Sequence, residues 1–221
     1  MPGIYFYDLG ASSRLKMSKL TELQELMQVK ILLLDGAYGT EFQALGLEED
    51  DYRGERFESH SVPLQGNHDI LCITKPEVVK NVHSSFLEVG SDIICTNTFN
   101  ANAISQADYD LQDICVEMNT VAAKIAREAA DQYSCGDRPR FVAGSIGPTN
   151  RTASLSPDVN QPGYRNITFA ELVSAYQEAM QGLANGGADL FLIETIFATL
   201  NAKAAIFAAN QVNRKLDDPL P

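Results

Sequence analysis

Hydrophobic positions along this chain follow two rhythms. Four short runs are almost continuously apolar: Lys30–Asp35, Asp92–Thr98, Arg140–Ser145 and Ala188–Glu194. Runs without polar alternation fit parallel strands covered on both faces. Between them the apolar residues recur at helical spacing. The stretch from Thr74 to Gly90 places Val78, Val79, Val82, Phe86 and Leu87 on one stripe, with a Thr74-x-x-Glu77 capping box, Pro76 in the first turn and Gly90 as a stop. The stretch from Thr168 to Gly187 repeats the plan with Thr168-x-x-Glu171, then Leu172, Val173, Tyr176, Met180 and Leu183. Leu111–Tyr133 reads as a long amphipathic helix and Ala202–Leu216 as a last one.

The joints repeat as well. "FLEVGSDIICTNTF" and "LANGGADLFLIETIF" both run helix, Gly, small residue, Asp, apolar strand, polar strand end. This is repeated β/α grammar, and right-handed crossovers bring all strand C-termini to one rim. Asp35, Thr96-Asn97-Thr98, Ser145 with Gly147, and Glu194-Thr195 would collect there, where α/β folds carry their sites. The connections 41–70 and 147–167 leave the same rim and are long enough to be functional loops or plain solvated covers.

Asp35 and Glu194 are the best candidate groups, since each ends an apolar run. A desolvated carboxylate needs a cation or donors. Two of them in one pocket could receive an ammonium group, hold a divalent metal, or share a proton for acid–base work. Gly36, Ala37 and Gly39 allow close backbone approach, and exposed amides there suit a carboxylate. Acids for an ammonium beside amides for a carboxylate describe an amino-acid zwitterion. The plainer readings are an Asp-Gly turn at Asp35 and an ion pair of Glu194 with Arg151 or Arg165.

Composition narrows the classes. The chain has 221 residues, 17 Lys+Arg against 29 Asp+Glu, and a net charge of −12, which is not a nucleic-acid footprint. No apolar run approaches the roughly 20 residues of a membrane span. Cys72, Cys95, Cys115 and Cys135 form no C-x-x-C pair and read as reduced cytoplasmic thiols. His60, His68 and His83 are too scattered for a triad. Residues 1–16 read as a disordered extension, and 17–221 as the domain.

The stretches "LLLDGAYGTEF", "YRGERF", "LQGNHDIL", "KPEVV", "SDIICTNTFNANAISQADY", "RFVAGSIGPTNRTASLSPDVNQPGYRNITF" and "GGADLFLIETIFATLNAKAA" run in order over Lys30–Ala209. Together they resemble the homocysteine-binding module of cobalamin-dependent methionine synthase and, more distantly, betaine–homocysteine methyltransferase. The "GPTNRTASLSPDV…YRNITF" block points to the methionine synthase branch. The resemblance implies a (βα)₈ barrel of which this α/β chain supplies the N-terminal half, about four parallel strands. It implies methyl transfer to the thiolate of homocysteine, which zinc takes up, with methylcobalamin as donor and cobalamin- and folate-binding modules as partners. It assigns Asp35 and Glu194 to the substrate's amino group and the Gly36-Ala37 backbone to its carboxylate, with Thr96 and Asn97 lining the mouth.

Two departures from the family stand out. Cys95 occupies a position where the family usually has Glu, and is expected to be a packed small residue. The family's zinc ligands are three cysteines after strands six and eight, and this sequence has no Cys beyond Cys135 and no Cys-Cys pair. The expectation is an incomplete domain whose open sheet edges expose apolar surface, and which alone neither holds zinc at the family site nor transfers methyl groups. Two other readings remain: a non-catalytic module that binds an amino acid or pairs with another chain, and an unrelated open-sheet enzyme using Asp35 and Glu194 with a divalent metal.

Overall fold

The structure is a computed structural model that describes residues 19–221; the extension expected at 1–16 lies outside the described residues. In chain order the elements are α1 (Lys19–Val29), α2 (Tyr38–Ala44), α3 (Glu49–Arg53), α4 (Leu71–Thr74), α5 (Pro76–Glu88), β1 (Ile93–Cys95), α6 (Ala103–Gln106), α7 (Cys115–Tyr133), β2 (Phe141–Ile146), α8 (Phe169–Gly186), β3 (Leu190–Ile193) and α9 (Thr199–Asn213). The strands form a parallel sheet in the order β1-β2-β3, with Cys95 opposite Ala143 and Ser145 opposite Leu192.

Three of the four expected strands are present. The segment Lys30–Asp35 makes only a single parallel bridge, Leu34 to Ile93, supported by the Ile93 amide to Leu33 O at 3.0 Å and the Asp35 amide to Ile93 O at 3.0 Å. It runs along the outer edge of β1 with Ile31 88% and Leu33 56% exposed. Among the described residues no strand pairs with its far side, so the apolar run has little to hold it as a regular strand. On the opposite edge, the Phe191 amide of β3 donates to Pro221 O at 2.9 Å, so the chain end folds back on the sheet.

Helices cover one face. Ile94, Val142 and Ile146 pack with Leu87 of α5, Ala123 and Ala126 of α7, Leu172, Tyr176, Met180 and Leu183 of α8, and Ala204, Ala205 and Ala208 of α9. A side chain at Gly144 would meet Leu183, which places that residue on the same face. Strand alternation then turns Cys95, Ser145 and Glu194 to the other face. α7 and α8 approach backbone to backbone at two glycines. A Cβ at Gly182 would stand 2.6 Å from Val116 O, and one at Gly186 2.4 Å from Thr120 O. A second cluster, with Phe42, Tyr52, Leu64, Ile70, Leu71, Val79 and Met118, anchors the helices that precede β1.

The repeated Gly-small-Asp joints have a common function at the start of the strands. Asp92 accepts the Leu33 amide at 3.0 Å, and Asp189 accepts the Val142 amide at 2.8 Å. Each carboxylate thus bonds the strand preceding it and is in turn held by arginine: Arg140 to Asp92 at 3.1 Å, Arg127 to Asp189 at 2.6 Å. Lys30 and Lys19 add to these pairs. Burial pushes the Asp92 carboxyl up, but Lys30, the Leu33 amide and Arg140 together outweigh it and hold it below its ordinary value.

Helix boundaries follow the expected chemistry at α8, where Thr168 Oγ1 accepts the Glu171 amide at 3.2 Å and Glu171 accepts the Thr168 amide at 2.8 Å. The box expected at Thr74 does not form. That hydroxyl donates to Ile70 O, just before α4, and α5 starts at Pro76 after Lys75. Pro76 fixes the start without a side-chain cap. The last helix begins at Thr199 rather than Ala202, and buried Asn201 at its start holds the loop after β2. Asn201 accepts the Ala153 amide at 3.1 Å and donates to Thr149 Oγ1 at 3.0 Å and Arg151 O at 2.9 Å. The loop 41–70 is likewise built rather than loose: Arg53 pairs with Glu49 and donates to His60 O at 2.6 Å, while Glu49 accepts the Leu64 and Gln65 amides.

Two substitutions test this framework. Asp92→Ala leaves the buried Arg140 guanidinium without its carboxylate, and should lower the unfolding free energy in urea by about 3 kcal/mol. Because Asp92 is held low, the stability it contributes is present at neutral pH and is lost as the pH falls below about 4. Gly147→Ala would put a Cβ 2.2 Å from Phe99 O, and should cost about 3 kcal/mol by forcing apart the β1 and β2 loops.

Candidate functional site

Where β1, β2 and β3 end, side chains bond sideways from one strand to the next. Asp35 Oδ2 accepts the Cys95 amide at 2.6 Å. Thr96 Oγ1 accepts the Ser145 amide at 3.0 Å, and Thr98 Oγ1 donates to Ser145 O at 2.8 Å. Ser145 Oγ then donates to Glu194 Oε1 at 2.7 Å. Immediately after Glu194 the chain turns through Thr195 at φ 57°, a left-handed conformation unusual for a β-branched residue. The rim is therefore laced from Asp35 to Glu194.

Above the lacing lies a cavity of about 550 Å³. Its walls include Asp35, Gly36 and Ala37, then Thr96 and Asn97, and Glu194. The six residues singled out from sequence therefore share one cavity. Their parts in it differ. Asp35 and Glu194 are half-buried, while Gly36 and Ala37 are exposed backbone. Thr96 and Asn97 are buried, and their polar groups are used within the protein: Thr96 for Ser145, Asn97 Nδ2 for His68 O at 2.7 Å. Glu194 bonds Ser145 rather than a loop arginine, and Arg165 donates to the carbonyls of Ala153, Pro162 and Tyr164.

Burial pushes the Asp35 carboxyl above its ordinary range. Hydrogen bonds from Tyr38 and the Cys95 amide pull it back part of the way, and nearby Glu194 pushes it up again. Asp35 thus senses the charge of Glu194. Tyr38 is a residue that sequence reasoning missed. Its hydroxyl lies 2.5 Å from Asp35 Oδ2 and 2.8 Å from His83 Nδ1. The available signal was its place one helical turn after Asp35. His68 and Asp69 also line the cavity and were missed; the "GNHDI" stretch carried no pattern that named them. Asp69 is almost fully buried, bonds the Asn100 amide at 3.0 Å, and is lifted by burial to about 7.

The thiols do not make a metal site. No group of three or more His, Cys, Asp or Glu side chains among the described residues is arranged to hold a metal ion. Cys95 lines the cavity beside Asp35 and is 8% exposed, a packed residue as expected. Burial, then the Asp35 charge, raises its pKa steeply, so it stays a thiol. Cys72 faces Asn97 O from within the core, Cys115 is buried in α7, and Cys135 is exposed beyond that helix. Four cysteines so dispersed do not fit the zinc that the sequence resemblance implies.

Comparison with known proteins follows the same outline. Crystal structures of the homocysteine methyltransferase MmuM from Escherichia coli superpose on the chain. Its oxidized form matches with a TM-score of 0.66 at 23% identity, over 87% of this chain and 62% of that one. The metallated form matches with a TM-score of 0.65 at 22% identity, over 87% and 63%. At these identities the likeness is one of fold, and the chain spans 62% of that protein's length. No helix among the described residues is long and apolar enough to cross a membrane. A sequence profile of the homocysteine S-methyltransferase family matches residues 32–219, so the chain belongs to that methyltransferase family.

Proposed function

We propose that the cavity binds homocysteine by its amino-acid end, and that the chain serves methyl transfer to the substrate thiolate, giving methionine. The observation that carries this is the pair Asp35 and Glu194, both lining one cavity and each fixed by a neighbouring strand. Glu194 adds to the cost of ionising half-buried Asp35, so the pair favours a shared cation, and an ammonium group answers both. The exposed Gly36-Ala37 backbone beside Asp35 receives the substrate carboxylate. Thr96 and Asn97 shape the mouth between them, and their contribution is to hold the wall.

The methionine synthase branch is the finer part of the proposal and rests on the "GPTNRTASLSPDV…YRNITF" block. On that reading methylcobalamin is the donor, cobalamin- and folate-binding modules are the partners, and the setting is the cytoplasm, in keeping with free cysteines. This chain's own residues bind and orient the amino acid, and the described thiols offer no route for activating sulfur through zinc. A second reading, an amino-acid-binding module completed by another chain, is favoured by the exposed apolar edge at Ile31, Leu33 and Leu34.

Calorimetric titration with L-homocysteine tests the proposal. Asp35→Asn and Glu194→Gln should each weaken binding roughly tenfold or more, the range of a hydrogen bond to a charged group. Unchanged affinity in both variants would sink the assignment. Wild-type affinity should fall as the pH drops through the Asp35 pKa. Burial lifts that value, so the loss begins at a higher pH than an exposed aspartate would give.

A further inference from the structure

We infer that Tyr38 and His83 are positioning residues for the ligand-binding carboxylate: the Tyr38 hydroxyl donates to Asp35 Oδ2, and the His83 ring holds that hydroxyl from within the core. For the identity of the ligand this rests on the homocysteine reading; the hydrogen-bond relay itself stands apart from it.

The need for such a device follows from the fold. Asp35 lies on a segment that pairs with β1 through one bridge, so strand pairing alone fixes it weakly. α2 starts at Tyr38, three residues later, and brings the hydroxyl back to 2.5 Å from Oδ2. The ring cannot easily swing away, because Phe42, His83 and Phe86 surround it with centroids 6.2, 5.3 and 5.7 Å off. Both the Tyr38 and the Cys95 bonds fall on Oδ2, which leaves Oδ1 free of either.

The direction of the relay can be deduced from its donors. Burial, and then the Asp35 charge, push the Tyr38 phenol well above its ordinary range, so it keeps its proton. A hydroxyl has one hydrogen, and a carboxylate is the stronger acceptor. The proton therefore points to Asp35, and the contact to His83 at 2.8 Å requires an N–H on Nδ1. His83 is fully buried, and burial lowers its pKa to about 3, so it is neutral and carries that single N–H. Its Nε2 is buried without a hydrogen-bond partner among the described residues. A bare ring nitrogen there agrees with the Nδ1–H tautomer and makes His83 a fixed donor rather than a titrating switch.

Other ionisable groups near Asp35 come from several elements. Glu194 follows β3 and Cys95 ends β1, while Cys72 of α4 lies near Tyr38. His68 and Asp69 stand on the same cavity wall. Of these, Glu194 raises the Asp35 pKa, whereas the Tyr38 bond lowers it. Removing the Tyr38 hydroxyl must then move Asp35 upward and let it protonate nearer neutrality.

The test is Tyr38→Phe in the full chain, which keeps the ring and deletes the donor. An NMR titration follows the Asp35 side-chain carboxyl carbon, with circular dichroism to check folding, and calorimetry measures L-homocysteine binding across the same pH range. The Asp35 midpoint should shift to higher pH, and binding at neutral pH should weaken roughly tenfold, with its acid limb moving up in step. An Asp35 midpoint equal to wild type would overturn the inference. If the midpoint moves but even the wild type ignores homocysteine, the positioning stands and the ligand reading fails. His83→Phe and His83→Asn give an independent arm should Tyr38→Phe unfold. Phe lacks the donor and should raise the midpoint, whereas Asn offers an amide near the Nδ1 position and should leave it near wild type. Equal midpoints in those two variants would also overturn the inference.

Discussion

A carboxylate or hydroxyl that bonds the backbone of the neighbouring strand is the constraint on which this structure depends. At the start of the strands Asp92 and Asp189 each accept an amide from the preceding strand, and buried Arg140 and half-buried Arg127 answer their charge. At the far ends Asp35, Thr96 and Thr98 do the same for the rim, and the Ser145 hydroxyl holds the Glu194 carboxylate. A parallel sheet this narrow has few ladder bonds, so side chains that stitch strand to strand fix both its register and its ends. The two acids of the cavity are positioned by the same stitching, which joins the stability of the sheet to the geometry of the site.

Much of the architecture could be read in the sequence. The continuous apolar runs at 92–98 and 188–194 contain β1 and β3, the run at 140–145 contains all of β2 but Ile146, and the central strand β2 is buried along its whole length and so does not alternate. Lys30–Asp35 carries the same signature and yet makes one bridge. Local pattern reports what a segment would bury, not whether a layer stands on each side to bury it. The Thr74 box failed for a similar reason: Pro76 and the preceding short helix α4 set the boundary, and the hydroxyl turned back to Ile70. The short helices α2 and α3 were missed because their few residues show no period, only contacts.

The site was legible at its ends and opaque in its support. Asp35, Gly36, Ala37, Thr96, Asn97 and Glu194 meet in one cavity, as rim logic required. Nothing local to "NVHSSF" says that His83 reaches Tyr38, since the contact spans 45 positions and depends on how α5 packs. Nor does spacing distinguish a hydroxyl that meets a ligand from one, like that of Thr96, that braces the wall. Cys95 illustrates a different point. A thiol placed beside a carboxylate and cut off from water is held protonated.

The central claim is that the two acids recognise an ammonium group. The most direct measurement compares, by calorimetry on the same protein, the binding of L-homocysteine with that of the analogue lacking only the amino group. The account predicts that losing the amino group weakens binding roughly tenfold or more, since both carboxylates are then left without their cation. Equal affinity for the two ligands would contradict it.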